Sequence, residues 1–264
     1  MLRTLVMFIA SLFITSSAYP SLFPTGVIVL TPDNHVTLTG EVDTRSVSVF
    51  LQNFLSLKNS RRIVYISSPG GSVMDGMHLI TVVRDAKDAD PTMRVSCYVD
   101  EAASMAFAIV QGICDERHGG LTSTMMQHQA SYGVQGSDNQ IASRLKMISS
   151  VLKILDGLQA MRIGITPEEL RRRSADEWWT VGMEAVNSKV LDRLTAITCT
   201  PALTASTRVE KFNGMFGAFK VVFSNCPLIQ APLEIIMDDK KPVDNNIRKL
   251  FERIPLSERV IRYK

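Results

Sequence analysis

Apolar residues recur at two alternating spacings along most of this chain, and the alternation predicts its architecture. GVIVL (26–30) and VTLTG (36–40) read as short strands on either side of the turn TPDN. From Asp43 the spacing becomes helical, with Val47, Phe50, Leu51, Phe54 and Leu55 on one face and Asp43 placed as the cap. RIVYISS (62–68) is a buried strand by its β-branched content; it stops at PGG, and a helix follows through Met77, Ile80 and Val83. MRVSCYV (93–99) is the next strand, AASMAFAIVQG (102–112) a helix closed by Gly112, and LTSTMMQH (121–128) a strand again. After the loop ASYGVQGSD a long helix runs from about Asn139 to Ile163, with Ile141, Leu145, Ile148, Leu152 and Leu155 as its apolar face. Met147, Val151, Ile154 and Leu158 carry apolar surface to further sides, so this helix needs more than one neighbour.

In TPEEL, Thr166 caps, Pro167 suits the first turn and Glu169 completes a capping box. GMEAVNSKVLDRL then gives a short helix and a strand. Strands that alternate with helices imply an α/β domain with largely parallel strands and right-handed crossovers. Beyond Cys199 the pattern loosens: DDKKPVDNN reads as an exposed linker and IRKLFERI as a short amphipathic helix before Pro255. This divides the chain into 1–18, 19–198 and 199–264.

Composition changes the picture little. At 264 residues, 45% apolar and 21% charged, the chain suits one domain with an appendage. A net charge of +3, dispersed along the chain, gives no footprint for nucleic acid. The one dense basic cluster, Arg171 to Arg173, reads as a solvated helix face or a subunit contact.

The first residues follow another rule. MLRTLVMFIASLFITSSAYP has a basic start at Arg3, an apolar run from Leu5 to Ile14, and small residues Ser16 and Ala18 spaced as a cleavage site. A signal peptide cut after Ala18 is expected, giving an exported, periplasmic or secreted protein; an uncleaved membrane anchor is the alternative. Export makes the four cysteines a candidate disulfide set with three possible pairings. Proximity favours Cys199 with Cys226 and Cys97 with Cys114, against an alternative of buried free thiols. Neither CxxC nor HExxH occurs and the four histidines are scattered, so neither a metal site nor a cofactor is expected.

Candidate chemistry converges on Ser104, in the stretch DEAASMAF. It stands where a strand passes into a helix, so the next amide, of Met105, lies in a first turn whose N–H groups lack intrahelical partners. Such an amide can hold a developing oxyanion. SSPGGSV (67–73) is a glycine turn at a strand end, where backbone can approach a ligand. It lacks the lysine of a nucleotide phosphate loop. His128 ends a strand that follows the Ser104 helix, which brings it to the same sheet edge as a candidate general base.

Together, YISSPGGSVMDGM, AASMAFAIVQG, MMQHQ and TPEEL…EAVNSKVLDRL resemble the Clp protease proteolytic subunit, in the same order, over about Ile63 to Leu194. The resemblance implies a ClpP/crotonase-like fold, a right-handed spiral of βαβ units, here with a C-terminal extension. It also implies serine peptidase chemistry on peptide or protein substrates, with subunits assembled as a homo-oligomer. By motif position Ser104 matches the nucleophile, His128 the base, and Gly71 and Met105 the oxyanion amides. Gapless matching puts Glu177 where the family usually has aspartate, with the adjacent Asp176 as the alternative acid. Ala106 and Ala130 stand where the family usually has glycine and proline. Such proteins usually work beside an ATP-driven unfoldase, and no ATPase partner is expected for an exported chain. A non-catalytic scaffold that keeps the fold is the competing class, and the intact serine and histidine count against it. A serine–lysine signal-peptide peptidase would need a lysine where His128 stands.

Overall fold

Residues 26–214 and 217–237 are described by a computed structural model. The predicted cleavage after Ala18, the linker DDKKPVDNN and the helix IRKLFERI lie outside these residues.

The centre is a sheet in which β2 (His35–Val42), β3 (Arg61–Gly71), β4 (Arg94–Ala103) and β5 (Glu116–His128) lie parallel and side by side in chain order. The crossovers are α1 (Thr44–Ser56), α2 (Val73–Ala89) and α3 (Met105–Ile113). Each βαβ step advances one strand in the same direction, the coil expected of the ClpP/crotonase-like α/β fold. The helices cover the sheet with the stripes read from sequence. Val47, Phe50 and Phe54 of α1 and Leu79, Ile80 and Val83 of α2 form one core with Val64, Ile66 and Val99 of the strands. Leu55, placed on the α1 stripe, is exposed instead. Asp43 starts α1 as predicted: its carboxylate accepts from the Ser46 amide at 2.7 Å, and its own amide donates to Ser46 Oγ at 2.9 Å.

Several expectations are corrected. The strand at RIVYISS does not stop at PGG: it continues to Gly71, because β2 extends alongside and pairs Glu41 with Gly70 and Val42 with Gly71. Likewise β4 runs through Ala102 and Ala103, paired with Met125 and Met126, so the helix begins only at Met105 and ends at Ile113, with Gly112 inside it. β1 (Val27–Leu30) and β2 flank the predicted turn but join different sheets. β1 pairs parallel with β8 (Ala196–Cys199).

α4 (Asp138–Ile163) and α5 (Pro167–Arg173) follow β5. Thr166 caps α5 by accepting from the Glu169 amide at 3.1 Å. Glu169 does not close the predicted box: Arg172 and Arg173, three and four residues on, take its carboxylate and hold its pKa down at about 2. The basic run is thus a salt-bridged helix face, with the Arg173 guanidinium over the Trp178 ring. EWWTV, unassigned by periodicity, is β6 (Glu177–Val181), antiparallel to β5 at the sheet edge. α6 (Met183–Asn187) and β7 (Arg193–Leu194) complete this part, β7 pairing parallel with β5.

Beyond Cys199 the loosened pattern conceals real structure. After α7 (Pro201–Ala205), β9 (Thr207–Gly214), β10 (Gly217–Ser224) and β11 (Glu234–Met237) form a separate antiparallel sheet. Disulfides join Cys97 to Cys114 and Cys199 to Cys226. The second lies in a small core with Leu30 and Leu203, against which Ile63 of β3 packs.

Candidate active site

The site is built where β4 gives way to α3. The Ser104 amide still completes the sheet ladder, donating to the Met126 carbonyl at 2.9 Å, while its carbonyl already accepts from Ala108 as the first helical bond. Belonging to both elements forces a sharp turn, and Ser104 takes φ 55, ψ −120. Gly182, between β6 and α6, makes the same strand-to-helix turn at φ 50, ψ −118. There a Cβ would collide with the Leu121 carbonyl, and glycine is used. At 104 a serine holds the same conformation, which costs a residue with a Cβ on the order of 1–3 kcal/mol. Strain of this kind is retained where the side chain is needed in one place.

Gly70 supplies the room. A Cβ there would lie 2.5 Å from the Ala103 carbonyl oxygen and 2.7 Å from Ser104 Cβ, so only glycine lets the β3 end lie against the turn. Its partner Gly71 borders an apolar cavity of about 290 Å³. Val73 and Met74 at the start of α2, Tyr132 of the loop after β5, and Met147, Val151 and Leu152 of α4 line it.

His128, the last residue of β5, meets the serine: its Nε2 lies 2.8 Å from Ser104 Oγ. The parallel register Ala103 to Met126 explains the meeting, since β5 extends past the point at which β4 turns into the helix. Glu177 is directly opposite His128 on the antiparallel strand β6. Opposed residues of such a pair emerge on the same face with Cβ atoms roughly 4.5–5.5 Å apart. The Glu177 carboxylate, however, accepts from Trp179 Nε1 at 2.8 Å, its neighbour two residues along the same face. Asp176 is exposed and lies outside β6. The structure therefore brings Ser104, His128 and Met105 to one place, and Gly71 follows in the chain the Gly70 that packs on the serine turn. It sets Glu177 beside them, and among the described residues neither Glu177 nor Asp176 hydrogen-bonds the imidazole.

A second hydroxyl–imidazole–carboxylate series joins β5 to Thr195, the residue between β7 and β8. His118 Nδ1 is 2.8 Å from Thr195 Oγ1, and its Nε2 is 3.4 Å from Glu116. Thr195 and His118 are buried, so Thr195 is no nucleophile, and burial lowers the His118 pKa. Three suitable residue types in a row do not make a site without access.

Sequence reasoning missed Gly70 as the contact to the serine, Trp179 as the holder of Glu177, and the strand that carries both. The aromatic, β-branched run WWTV was the available signal for that strand.

The family model for Clp protease matches residues 25–197. One curated relative, the ATP-dependent Clp protease proteolytic subunit of Borreliella afzelii (strain PKo), is 24% identical over 164 residues, which is 60% of this chain and 81% of the relative. The protein of the same name in Borrelia garinii subsp. bavariensis is 25% identical over 164 residues, covering 60% and 82%. The family match ends just before Cys199, where the disulfide-tied segment begins.

Proposed function

The chain belongs to the Clp protease family, and on that premise we propose that it is an exported serine peptidase that cleaves peptide bonds through Ser104 without ATP. The observation that carries this reading is the 2.8 Å contact of His128 Nε2 with the hydroxyl of a serine held in a strained backbone turn. His128 takes the Ser104 proton as Oγ attacks the peptide carbonyl, and a tetrahedral oxyanion forms. The amides of Met105 and Gly71 hold that charge. In support, the Val42 carbonyl takes its hydrogen from Ser72, and strand alternation turns the preceding amide, of Gly71, away from β2. His128 then gives its proton to the leaving amine, the acyl-enzyme remains, and water attacks the ester by the same route to free the acid and Ser104. The apolar cavity beside Gly71 suits a large apolar side chain next to the scissile bond.

Glu177 is the proposed acid. A His128 whose Nε2 accepts carries its proton on Nδ1, and a carboxylate there fixes that tautomer. Glu177 reaches it by leaving Trp179 for the residue opposite. Two disulfides support an oxidising compartment, where ATP is not supplied. Among the described residues no helix is long and apolar enough to cross a membrane.

The hold of Trp179 on Glu177 favours one second reading, a non-catalytic scaffold that keeps the fold. A fluorophosphonate probe on the purified protein separates the two. Labelling is expected at Ser104 and lost in Ser104→Ala, whose peptidase activity should vanish in a folded protein. Folded wild-type protein that resists the probe would leave the scaffold.

A further inference from the structure

We propose that Gln127 and Gln159 position His128, a role that rests on the peptidase reading above. One backbone hydrogen bond beside the serine is lost to the turn itself. In a parallel ladder that begins with Ser104 N–H donating to Met126, the next bond would run from His128 N–H to the Ser104 carbonyl. That carbonyl is already taken by Ala108, because the chain has turned into α3. Building the serine turn therefore strips the backbone of His128 of its partner, at the residue whose ring must be held in place.

Gln127 repairs this. Its Oε1 accepts from the His128 amide at 3.0 Å. Its Nε2 donates to Oε1 of Gln159, on α4, and Gln159 Nε2 donates to the Leu155 carbonyl at 3.1 Å. Both side chains are buried, Gln159 being only 1% exposed. Each amide gives from its nitrogen and receives at its oxygen, so the series has one direction and admits no flip without losing bonds. A polar pair this deep is out of place in a helix–sheet core unless its atoms are partnered, and here each amide nitrogen and oxygen has a partner. The same helix lines the apolar cavity through Met147, Val151 and Leu152. The amide pair thus fixes the strand end that carries the base to the element that faces the substrate.

Neither glutamine touches Ser104 or a substrate carbonyl, so both are positioning residues. The test uses Gln127→Met and Gln159→Met, which keep volume and remove the bonds, singly and together, with Gln159→Glu as the conservative variant that, held neutral by burial, keeps an acceptor for Gln127 and an O–H for the Leu155 carbonyl. Kinetics on a fluorogenic peptide should show kcat reduced roughly ten- to a hundredfold, the scale of a misplaced catalytic group, with KM within about twofold. The double variant should lose no more than the worse single one, and Gln159→Glu should recover most of the loss. Urea unfolding selects a temperature at which every variant is folded. Unchanged kcat in folded Met variants, or losses that multiply in the double variant, would overturn the proposal. If the wild type proves inert to the fluorophosphonate probe, the peptidase reading fails separately, and the positioning is then read by ¹⁵N NMR of the imidazole. The His128 Nε2 resonance, which reports its bond to Ser104, should move in Gln127→Met, and an unmoved resonance would sink the idea.

Discussion

At the scale of single residues, the chain makes one turn twice with different side chains. Ser104 and Gly182 share a backbone conformation that only glycine adopts without strain, and only the serine has a histidine at its hydroxyl. Stability can therefore be set against function at one position. Ser104→Ala loses the hydroxyl and keeps the strain; Ser104→Gly loses both. We expect Ser104→Gly to be the more stable of the two by about 1 kcal/mol, the reverse of the usual order, since relief of strain outweighs the added freedom of the unfolded chain. Urea unfolding of the two inactive variants checks this, and a more stable alanine variant would mean that the turn carries no strain. Glu177 offers a second comparison. If it orients His128, Glu177→Gln should lower kcat more than Asp176→Asn. Trp179→Phe, which removes the N–H that holds the carboxylate, should keep or raise it. The opposite ranking of the two acids would move the role to Asp176, and two harmless substitutions would leave a serine–histidine dyad.

At the scale of elements, what was legible depended on whether the determinant was local. Val47, Phe50 and Phe54 announced α1 and Asp43 its start, because stripe and cap lie within one stretch of chain. The ends of β3 and β4 were not legible. Gly70 and Ala103 are strand residues only because Glu41 and Met126, distant in sequence, pair with them. The partnership of His128 with Ser104 followed from counting strand ends, whereas the rotamer of Glu177 depended on Trp179 in a strand that periodicity did not mark. β5 also contributes a pH dependence of stability. His118 lies among Thr195, Glu116, Arg193 and Asp192, and burial lowers its pKa below 6.5; burial does the same to His35 at the start of β2. A histidine with a depressed folded pKa binds fewer protons folded than unfolded, so stability is lost as pH falls through 6.5 and levels off below the folded pKa. The urea midpoint should drop between about pH 7.5 and 5.5, where free carboxylates stay ionised. His35→Gln with His118→Gln should flatten the drop, and an equally steep variant would place its origin elsewhere.

At the scale of the whole molecule, two parts of the chain raise the question of what holds or covers them. The segment beyond the family match is tied back by the Cys199–Cys226 disulfide, which closes a loop over a sequence separation of 27 residues. Chain entropy assigns such a closure about 3–4 kcal/mol. A variant with both cysteines changed to alanine should be cut by added protease after Cys199 far sooner than within the family domain, and equal resistance would show that packing alone holds the segment. The other part is α4. Leu155, Ala160 and Ile163 are buried in the core, but Leu145, Met147, Ile154 and Met161 point outward, Ile154 at 60% and Met161 at 72% exposure. The edge strand β6 likewise shows Trp179 and Val181. The described part of the C-terminal segment builds its core on Leu30, Leu203 and Cys226. Apolar side chains on both sides of one long helix call for a second neighbour, and a second copy of the chain can offer the same helix and the same strand edge in return. Light scattering should therefore give a mass above 29.3 kDa, in an assembly that Ile154→Lys with Met161→Lys weakens. A monomer that persists at high concentration would rule out self-association and assign the cover of α4 to the remainder of the chain.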